Sequence, residues 1–346
     1  MNKDDNIRIK WIDVAKALGI FFIYLGHLGN LAGLAYNWVF SFHVPLFFFL
    51  SGCLEGHNDK GIIKGFVYRI NKIIIPYFVF GIFVIIYEAV NSGTYEYAAN
   101  HFLILVKGGI RNSFYLESGL WFLTCIFSVQ VIFSVVKKLK YVPLILLICV
   151  GLNILIRLLI QEPSWYYNID SALIYLVFYC IGWISYNYLN KLFESSNKFI
   201  KVVFAIVFIL AILYSGAKYF NINIFFCVFG TNKVSVLFEG IITPLVNILW
   251  IILLSKMIED IGMLCKVGRN TLYLCGGEYI VKSFFGILLS LFGITINISG
   301  TIHAVIYAMI TVLIANFIFV PFAKMIITRI QLFFGCVFTK KQNQMI

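Results

Sequence analysis

Residues 11–30 read WIDVAKALGIFFIYLGHLGN. A run of about 20 mostly apolar residues is long enough to cross the hydrocarbon core of a bilayer as an α-helix. This stretch has that length, yet Asp13, Lys16 and His27 fall inside it. A barrel-strand reading fails, because the apolar residues run on instead of alternating with polar ones. The same character extends along the whole chain. Of 346 residues, 61% are hydrophobic and 12% charged, against roughly 25% charged in a soluble domain. A water-soluble enzyme, a disordered chain and a small disulfide-stapled secreted domain are all excluded. The eight cysteines are scattered, mostly within apolar runs, and none makes a CxxC pair. They read as packing residues.

Working outward, ten spans are expected, at about 11–32, 36–54, 73–90, 119–136, 141–160, 170–189, 202–220, 235–255, 271–292 and 302–323. The fold class is therefore all-α, a polytopic membrane protein. One transmembrane domain is expected over 1–346, with short tails at about 1–10 and 325–346. With the N-terminus inside, 20 Lys and Arg fall in cytoplasmic segments and 3 outside. That asymmetry sets orientation by the positive-inside rule and places both termini in the cytoplasm. It also accounts for the formal charge of +12 without nucleic acid as a partner. Residues 11–32 read as a retained span and not a cleaved signal peptide, because Asp13 and Lys16 interrupt the apolar run. No internal repeat is evident, which weakens an analogy with inverted-repeat transporters.

Ionisable side chains inside apolar spans are costly and mark functional candidates. Lys16 and His27 are eleven residues apart, so on a continuous helix they share a face about 16 Å apart in depth. Asp13 lies near that face. The expected stripe points into protein, with Asp13 and Lys16 near the cytoplasm and His27 deep. The bland alternative is an Asp–Lys pair at the membrane edge and a hydrogen-bonded core histidine. In the second span, SFHVPLFFFLSG at 41–52, His43 precedes Pro45, and Ser51 follows near the inner end. Proline cannot donate a helix hydrogen bond, so either a cavity flanks this span or His43 caps the freed carbonyls. In KGIIKGFVYRINKIIIPY at 60–77, Arg69 and Lys72 stand one turn apart. They could grip a polyphosphate together or simply meet anionic headgroups.

Glu239 and the i,i+4 pair Glu278 and Lys282 are further buried candidates, the pair being able to neutralise itself. At the outer boundary lie Glu117, Trp121 and Asp170. Aromatic residues there anchor a protein in the interface, and they also stack on sugar rings. The five histidines are widely separated, so no metal site is expected. No G-x-S-x-G nucleophile elbow is present.

Six blocks occur in one order: WIDVAKALGIFFIYLGH, FSFHVPLFFFLSG, YRINKIIIPY, GLWFL, IDSALIYLVFYCIGW and GRNTLYL. Together they resemble the acyltransferase 3 family of integral membrane proteins, and within it the fucose-4-O-acetylase-like branch. The resemblance covers about residues 8–325. It implies transfer of an acyl group, usually acetyl from cytoplasmic acetyl-CoA, to a hydroxyl of a cell-surface or lipid-linked polysaccharide. It also implies a multi-pass protein of the bacterial cytoplasmic membrane. The family's first-span histidine matches His27, and its basic residue eleven positions earlier matches Lys16. Its cytoplasmic R-x-x-R motif is Arg69 and Lys72 here, where the Lys keeps charge but loses bidentate geometry. Many relatives carry His where this chain has Glu278.

The expected chemistry has His27 as the base that takes the acceptor hydroxyl's proton as it attacks the thioester. An acetyl-histidine intermediate is the alternative. Asp13 and Lys16 would order the inner side. Arg69 and Lys72 would hold the donor phosphates, with Ser51 along the path of the pantetheine arm. His43, Glu117, Trp121 and Asp170 are expected on the acceptor side. The rival function is a transporter or flippase for a glycan building block, which would have no need of acyl-CoA.

Overall fold

The computed structural model describes residues 8–55, 62–93, 95–111, 119–293 and 298–343. Among them there is no strand. In chain order the helices are α1 (Lys10–Gly26), α2 (Ala35–Phe40), α3 (His43–Cys53), α4 (Ile62–Arg69), α5 (Ile75–Ser92), α6 (Tyr95–Val106), α7 (Leu120–Val136), α8 (Val142–Leu159) and α9 (Ile169–Glu194). They continue as α10 (Lys198–Tyr219), α11 (Ile224–Phe229), α12 (Lys233–Met257), α13 (Gly262–Arg269), α14 (Thr271–Gly276), α15 (Glu278–Leu291), α16 (Thr301–Ile314) and α17 (Val320–Asn343).

Among the described residues, seven helices are long and apolar enough to cross a membrane: Ile62–Ser92, Leu120–Leu139, Val142–Leu159, Tyr166–Glu194, Lys198–Tyr219, Lys233–Met257 and Thr301–Phe334. Each contains one of the expected spans or most of it. The other three expected spans are interrupted. The first, 11–32, stops being α-helical at Gly26, and a 3₁₀ turn follows at Gly29–Ala32, flanked by left-handed Gly29 and Gly33 (φ 59° and 58°). The second, 36–54, is two helices parted at Ser41–Phe42, with Phe42 off the helical region at φ −147°. Pro45 therefore lies in the first turn of α3, where an N–H has no intrahelical partner, and it kinks nothing. The third, 271–292, breaks at Gly276–Gly277 between α14 and α15.

The segment expected as a cytoplasmic loop, 55–72, is helical from Ile62 onward and runs into α5 through a π-turn at Ile70–Ile74. The expected tail from 325 is helical as far as Asn343. A second π-turn, Ala315–Phe319, joins α16 to α17. Both π-turns have one cause. Pro76 and Pro321 each stand two residues past the turn, and each lacks the N–H that would continue the α-helical ladder. The residue just before each proline bonds five residues back, Ile75 N–H to the Ile70 carbonyl and Val320 N–H to the Ala315 carbonyl. In that wider register Pro76 would have served the Asn71 carbonyl. The Gln331 side-chain amide donates to it instead, at 2.7 Å.

The chain divides into two compact units, each discontinuous in sequence. The first comprises 1–54, 181–271 and 296–313. In it α1 is the central helix and packs against α2, α3, α12 and α13. Val14, Ala15, Ile20 and Tyr24 of α1 are fully buried, and Phe22 meets Trp38, Phe42 and Trp250 edge to face. The second unit comprises 55–180, 272–295 and 314–346. Here α5 packs on α6, α7, α15 and α17. Gly81 lets α5 approach α6, since a Cβ there would lie 2.1 Å from Leu105.

Candidate functional site

In the first unit, α1 carries its ionisable groups at its two ends. Asp13 and Lys16 occupy the first two turns, both half-buried. α13 crosses α1 at this level so closely that a Cβ on Gly268 would lie 1.7 Å from the Asp13 carbonyl oxygen. Only glycine permits that approach. It brings the next residue, Arg269, together with Arg8 and Lys16 among the charges facing Asp13. Lys16 is faced by Asp13 and by Cys53 at the end of α3. Among the described residues no direct ion pair joins Asp13 to Lys16. Ser51 lies half-buried in the last turn of α3, two residues before Cys53.

His27 is not deep inside a helix, as a continuous first span would place it. It is the first residue beyond α1, where its N–H caps the helix on the Ile23 carbonyl and the next N–H, of Leu28, takes the Leu25 carbonyl. Its side chain is exposed. The glycines that end the helix cause this: a Cβ on Gly26 would come within 3.1 Å of Val39 and Phe40, so the chain turns where α2 approaches. The His27 ring then stands 6.4 Å from the ring of His43, at 89°. Phe40 packs against both rings, at 6.1 and 4.9 Å.

His43 is 3% exposed, and its Nδ1 bonds the Val39 carbonyl at 2.9 Å. A carbonyl only accepts, so Nδ1 carries the hydrogen and the neutral ring presents Nε2 as its lone-pair nitrogen. The Val39 carbonyl lies at the end of α2 and also accepts from the Phe42 N–H at 3.1 Å, so His43 supplements a helix end and does not cap a carbonyl freed by Pro45. Elsewhere in this unit Glu239 accepts hydrogen bonds from Lys218 (2.8 Å), Thr243 (3.2 Å) and Asn223 (3.3 Å).

In the second unit, Arg69 ends α4 with a side chain 13% exposed. Its Nη2 is 3.5 Å from Oε1 of Glu55, a carboxylate that also accepts from Lys137 Nζ at 2.8 Å and from the Tyr179 hydroxyl at 2.6 Å. Two cations on one buried carboxylate leave a local excess of positive charge. Lys72 does not join them. It lies inside the π-turn and is exposed. A π-turn holds more residues than an α-turn, so residues three apart no longer stack.

Trp121, in the first turn of α7, has the Arg111 guanidinium 4.9 Å from the centre of its ring, and Arg111 also donates to the Tyr175 hydroxyl at 3.2 Å. Asp170 is 1% exposed and accepts from the backbone N–H groups of Ser164, Trp165 and Ser171 at 2.6–2.9 Å. Its carboxylate ties down the loop before α9. Asn168 next to it donates to the carbonyls of Gly108 and Gly109 and accepts from the Arg111 N–H. Tyr167 and Asn168 both adopt left-handed backbone, at φ 55° and 53°, and this bonding holds them there. Glu117 lies outside the described residues. Glu278 opens α15 and pairs with Lys282 at 2.6 Å, the self-neutralising arrangement.

Sequence reasoning passed over Glu55, Lys137, Tyr179 and Arg111. Glu55 alone left a trace, as the single acid closing the apolar run of α3. The others meet their partners only through the fold.

No curated protein and no solved structure matches the chain. The acyltransferase domain family, acyltransferase 3, matches residues 9–339. That match takes in both units and every candidate side chain described above, and the chain accordingly belongs to the acyltransferase 3 family, as a multi-pass membrane acyltransferase.

Proposed function

We propose that the protein transfers acetyl from cytoplasmic acetyl-CoA to a hydroxyl of a cell-surface or lipid-linked polysaccharide, in a bacterial cytoplasmic membrane. The observation that supports this best is the histidine pair of the first unit. An exposed imidazole, His27, stands beside a buried one, His43, whose tautomer is held by the Val39 carbonyl. His27 is the base. It accepts the hydroxyl proton as the oxygen attacks the thioester carbonyl. The carbon–sulfur bond then breaks, and the CoA thiolate leaves and recovers that proton. His43 orients the hydroxyl. Asp13 and Lys16 order the cytoplasmic end of α1.

On the donor side, Arg69 and Lys72 bind the CoA phosphates, and Ser51 contacts the pantetheine arm. Lys137 joins them in this reading, which the Glu55 carboxylate shared by Arg69 and Lys137 supports. A carboxylate already held between two cations marks a place where phosphate oxygens are welcome. On the acceptor side, Trp121 offers a flat face beside Arg111, and Glu117 and Asp170 belong to the same outer segments.

Two measurements test the reading. Acetyl-CoA should raise the thermal stability of the purified protein, and coenzyme A without an acyl group should do so as well, since the phosphates provide much of the affinity. Surface glycans from cells lacking the protein should lose O-acetyl signals by NMR. Unchanged glycans together with no stabilisation by acetyl-CoA would remove both donor and acceptor from the assignment.

A further inference from the structure

The first unit contains a groove that plays no part in the proposed transfer. It lies where three helix ends gather, the last turns of α9 and α12 and the first turns of α10, and its volume is about 380 Å³. That is within the usual range of ligand clefts, roughly 300–1,000 Å³. Its wall is apolar, formed by Phe193, Phe204, Phe208 and Leu253, and Lys201 and Lys256 stand in its lining. Lys256 is partly neutralised by Glu259 at 2.5 Å. Among the described residues Lys201 has no carboxylate partner. A hydrocarbon surface with one uncompensated cation at a helix end fits an amphiphile with a negative head.

The setting selects the kind of amphiphile. Of the seven long apolar helices, α10 is the least covered: only 11% of its apolar window is buried, against 22–56% in the others. Phe199, Val202, Ile206, Ile209 and Leu213 are all more than half exposed along it. At 1.5 Å per residue its 22 residues span about 33 Å, the thickness of a bilayer core. The groove therefore borders a helix whose neighbouring flank hydrocarbon chains cover. Its lysines sit at helix ends, at the level of lipid headgroups.

We infer that this groove binds one anionic phospholipid, with an acyl chain against Phe204, Phe208 and Leu253 and the phosphate on Lys201. Lys256 adds a second, weaker contact. This is a discrete site and differs from the shell of lipid around any membrane protein in being saturable and selective for charge. It is independent of the proposed transfer reaction.

The test uses the full-length protein, delipidated in mild detergent and titrated with phosphatidylglycerol or phosphatidylcholine, with bound lipid counted by native mass spectrometry. One phosphatidylglycerol per chain should be retained, and phosphatidylcholine should be retained at least several-fold less well. Lys201→Glu should weaken phosphatidylglycerol retention by roughly tenfold or more. Lys266→Glu, the same charge change on α13 outside the groove, should leave it intact. Phe204→Trp, which fills the groove and keeps its charge, should weaken it too. Equal retention of the two lipids, an unaffected Lys201→Glu protein, or equal losses in the Lys201 and Lys266 variants would overturn the inference. So would displacement of the lipid by inorganic phosphate alone, which would mark a free-anion site, or a dimer in which a second copy covers α10.

Discussion

Among the described residues, seven segments are long apolar helices of 18 residues or more, two of them running through a π-turn and one starting in a 3₁₀ turn, and three segments of similar hydropathy are cut into shorter helices. The candidate chemistry concentrates at the interruptions. His27 follows the end of α1, His43 opens α3 just past the break at Ser41–Phe42, and Glu278 opens α15 just past Gly276–Gly277. A continuous helix satisfies its own backbone, so lipid can cover it and nothing polar is needed nearby. A broken helix leaves N–H and C=O groups that need partners at depth. The side chains that serve them, as His43 serves Val39, are polar by necessity. Breaks are thus where a membrane protein can keep ionisable groups among other polar groups.

The largest effect should come from the histidines. If breaks carry the chemistry, His27→Ala lowers acetyl transfer by about 10²–10⁴-fold with the amount of folded protein in membranes unchanged. His303, exposed on the long Thr301–Phe334 helix and bonded to Ser299, is the matched control, and His303→Ala should transfer acetyl at the wild-type rate. Equal losses in the two variants would erase the contrast, as would full activity in the His27 variant. Both are read by release of CoA thiol in the presence of acceptor.

The second contrast concerns stability and uses glycines of α15 and the break before it. A Cβ on Gly277 would lie 2.0 Å from the Phe319 ring, and Gly286, on α15 itself, has nothing within 4 Å. Gly277→Ala should cost about 1–3 kcal/mol by overpacking. Gly286→Ala should be neutral or gain up to about 1 kcal/mol from helix propensity. Thermal unfolding in detergent measures both. Adding Phe319→Leu to Gly277→Ala should return part of the loss. If the double variant is no better, the break is not held open by that ring.

The contrast also explains what could be read from the residues alone. The seven long helices were legible because hydropathy and length decide them, and 73–90 or 235–255 needed no knowledge of neighbours. The interrupted segments have the same hydropathy, so they read as spans of the same kind. The ends forced by Gly26 and Gly277 depend on Phe40 and Phe319, which arrive from distant parts of the sequence or from across a turn. His27 and His43 were legible as candidates because a histidine in an apolar run is conspicuous. Their pairing was not, since it requires α1 to stop. Arg69 was legible, but its nearest charged neighbours were not. The spacing to Lys72 is helical, and only the π-turn that Pro76 imposes separates them. The acid beside Arg69, Glu55, and the second cation, Lys137, are 14 and 68 residues from it in sequence, beyond any spacing rule.

A third prediction asks whether the π-turn follows from its proline. Gln331→Ala removes the donor to the Asn71 carbonyl and should cost about 1 kcal/mol. With Pro76→Ala the chain regains an N–H at position 76, and the same glutamine substitution should then cost much less. The coupling is measured by a double-mutant cycle in thermal unfolding. Additive losses would mean that the π-turn is set by packing against its neighbours.

The smallest effect lies at the entry to the first interrupted segment. Lys10 and Asp260 form an ion pair at 2.8 Å on the surface. The hydrogen bond and the Lys10 charge hold the Asp260 carboxyl below its usual range, and Asp260 in turn raises Lys10 above its own. A carboxyl with a lowered folded pKa contributes stability above the unfolded value of about 3.9, and that contribution fades as pH falls through the folded value. A lysine with a raised folded pKa contributes below about 10.4, and that contribution is lost as pH rises through the folded value. The pair is therefore complete across neutral pH, and stability there should not slope on its account. Because both groups are fully solvated, salt screens them. Asp260→Asn should shift the midpoint of thermal unfolding far less than Gly277→Ala, and by less still in high salt. A shift as large as that of Gly277→Ala would mean that this surface pair contributes as much as a buried packing contact.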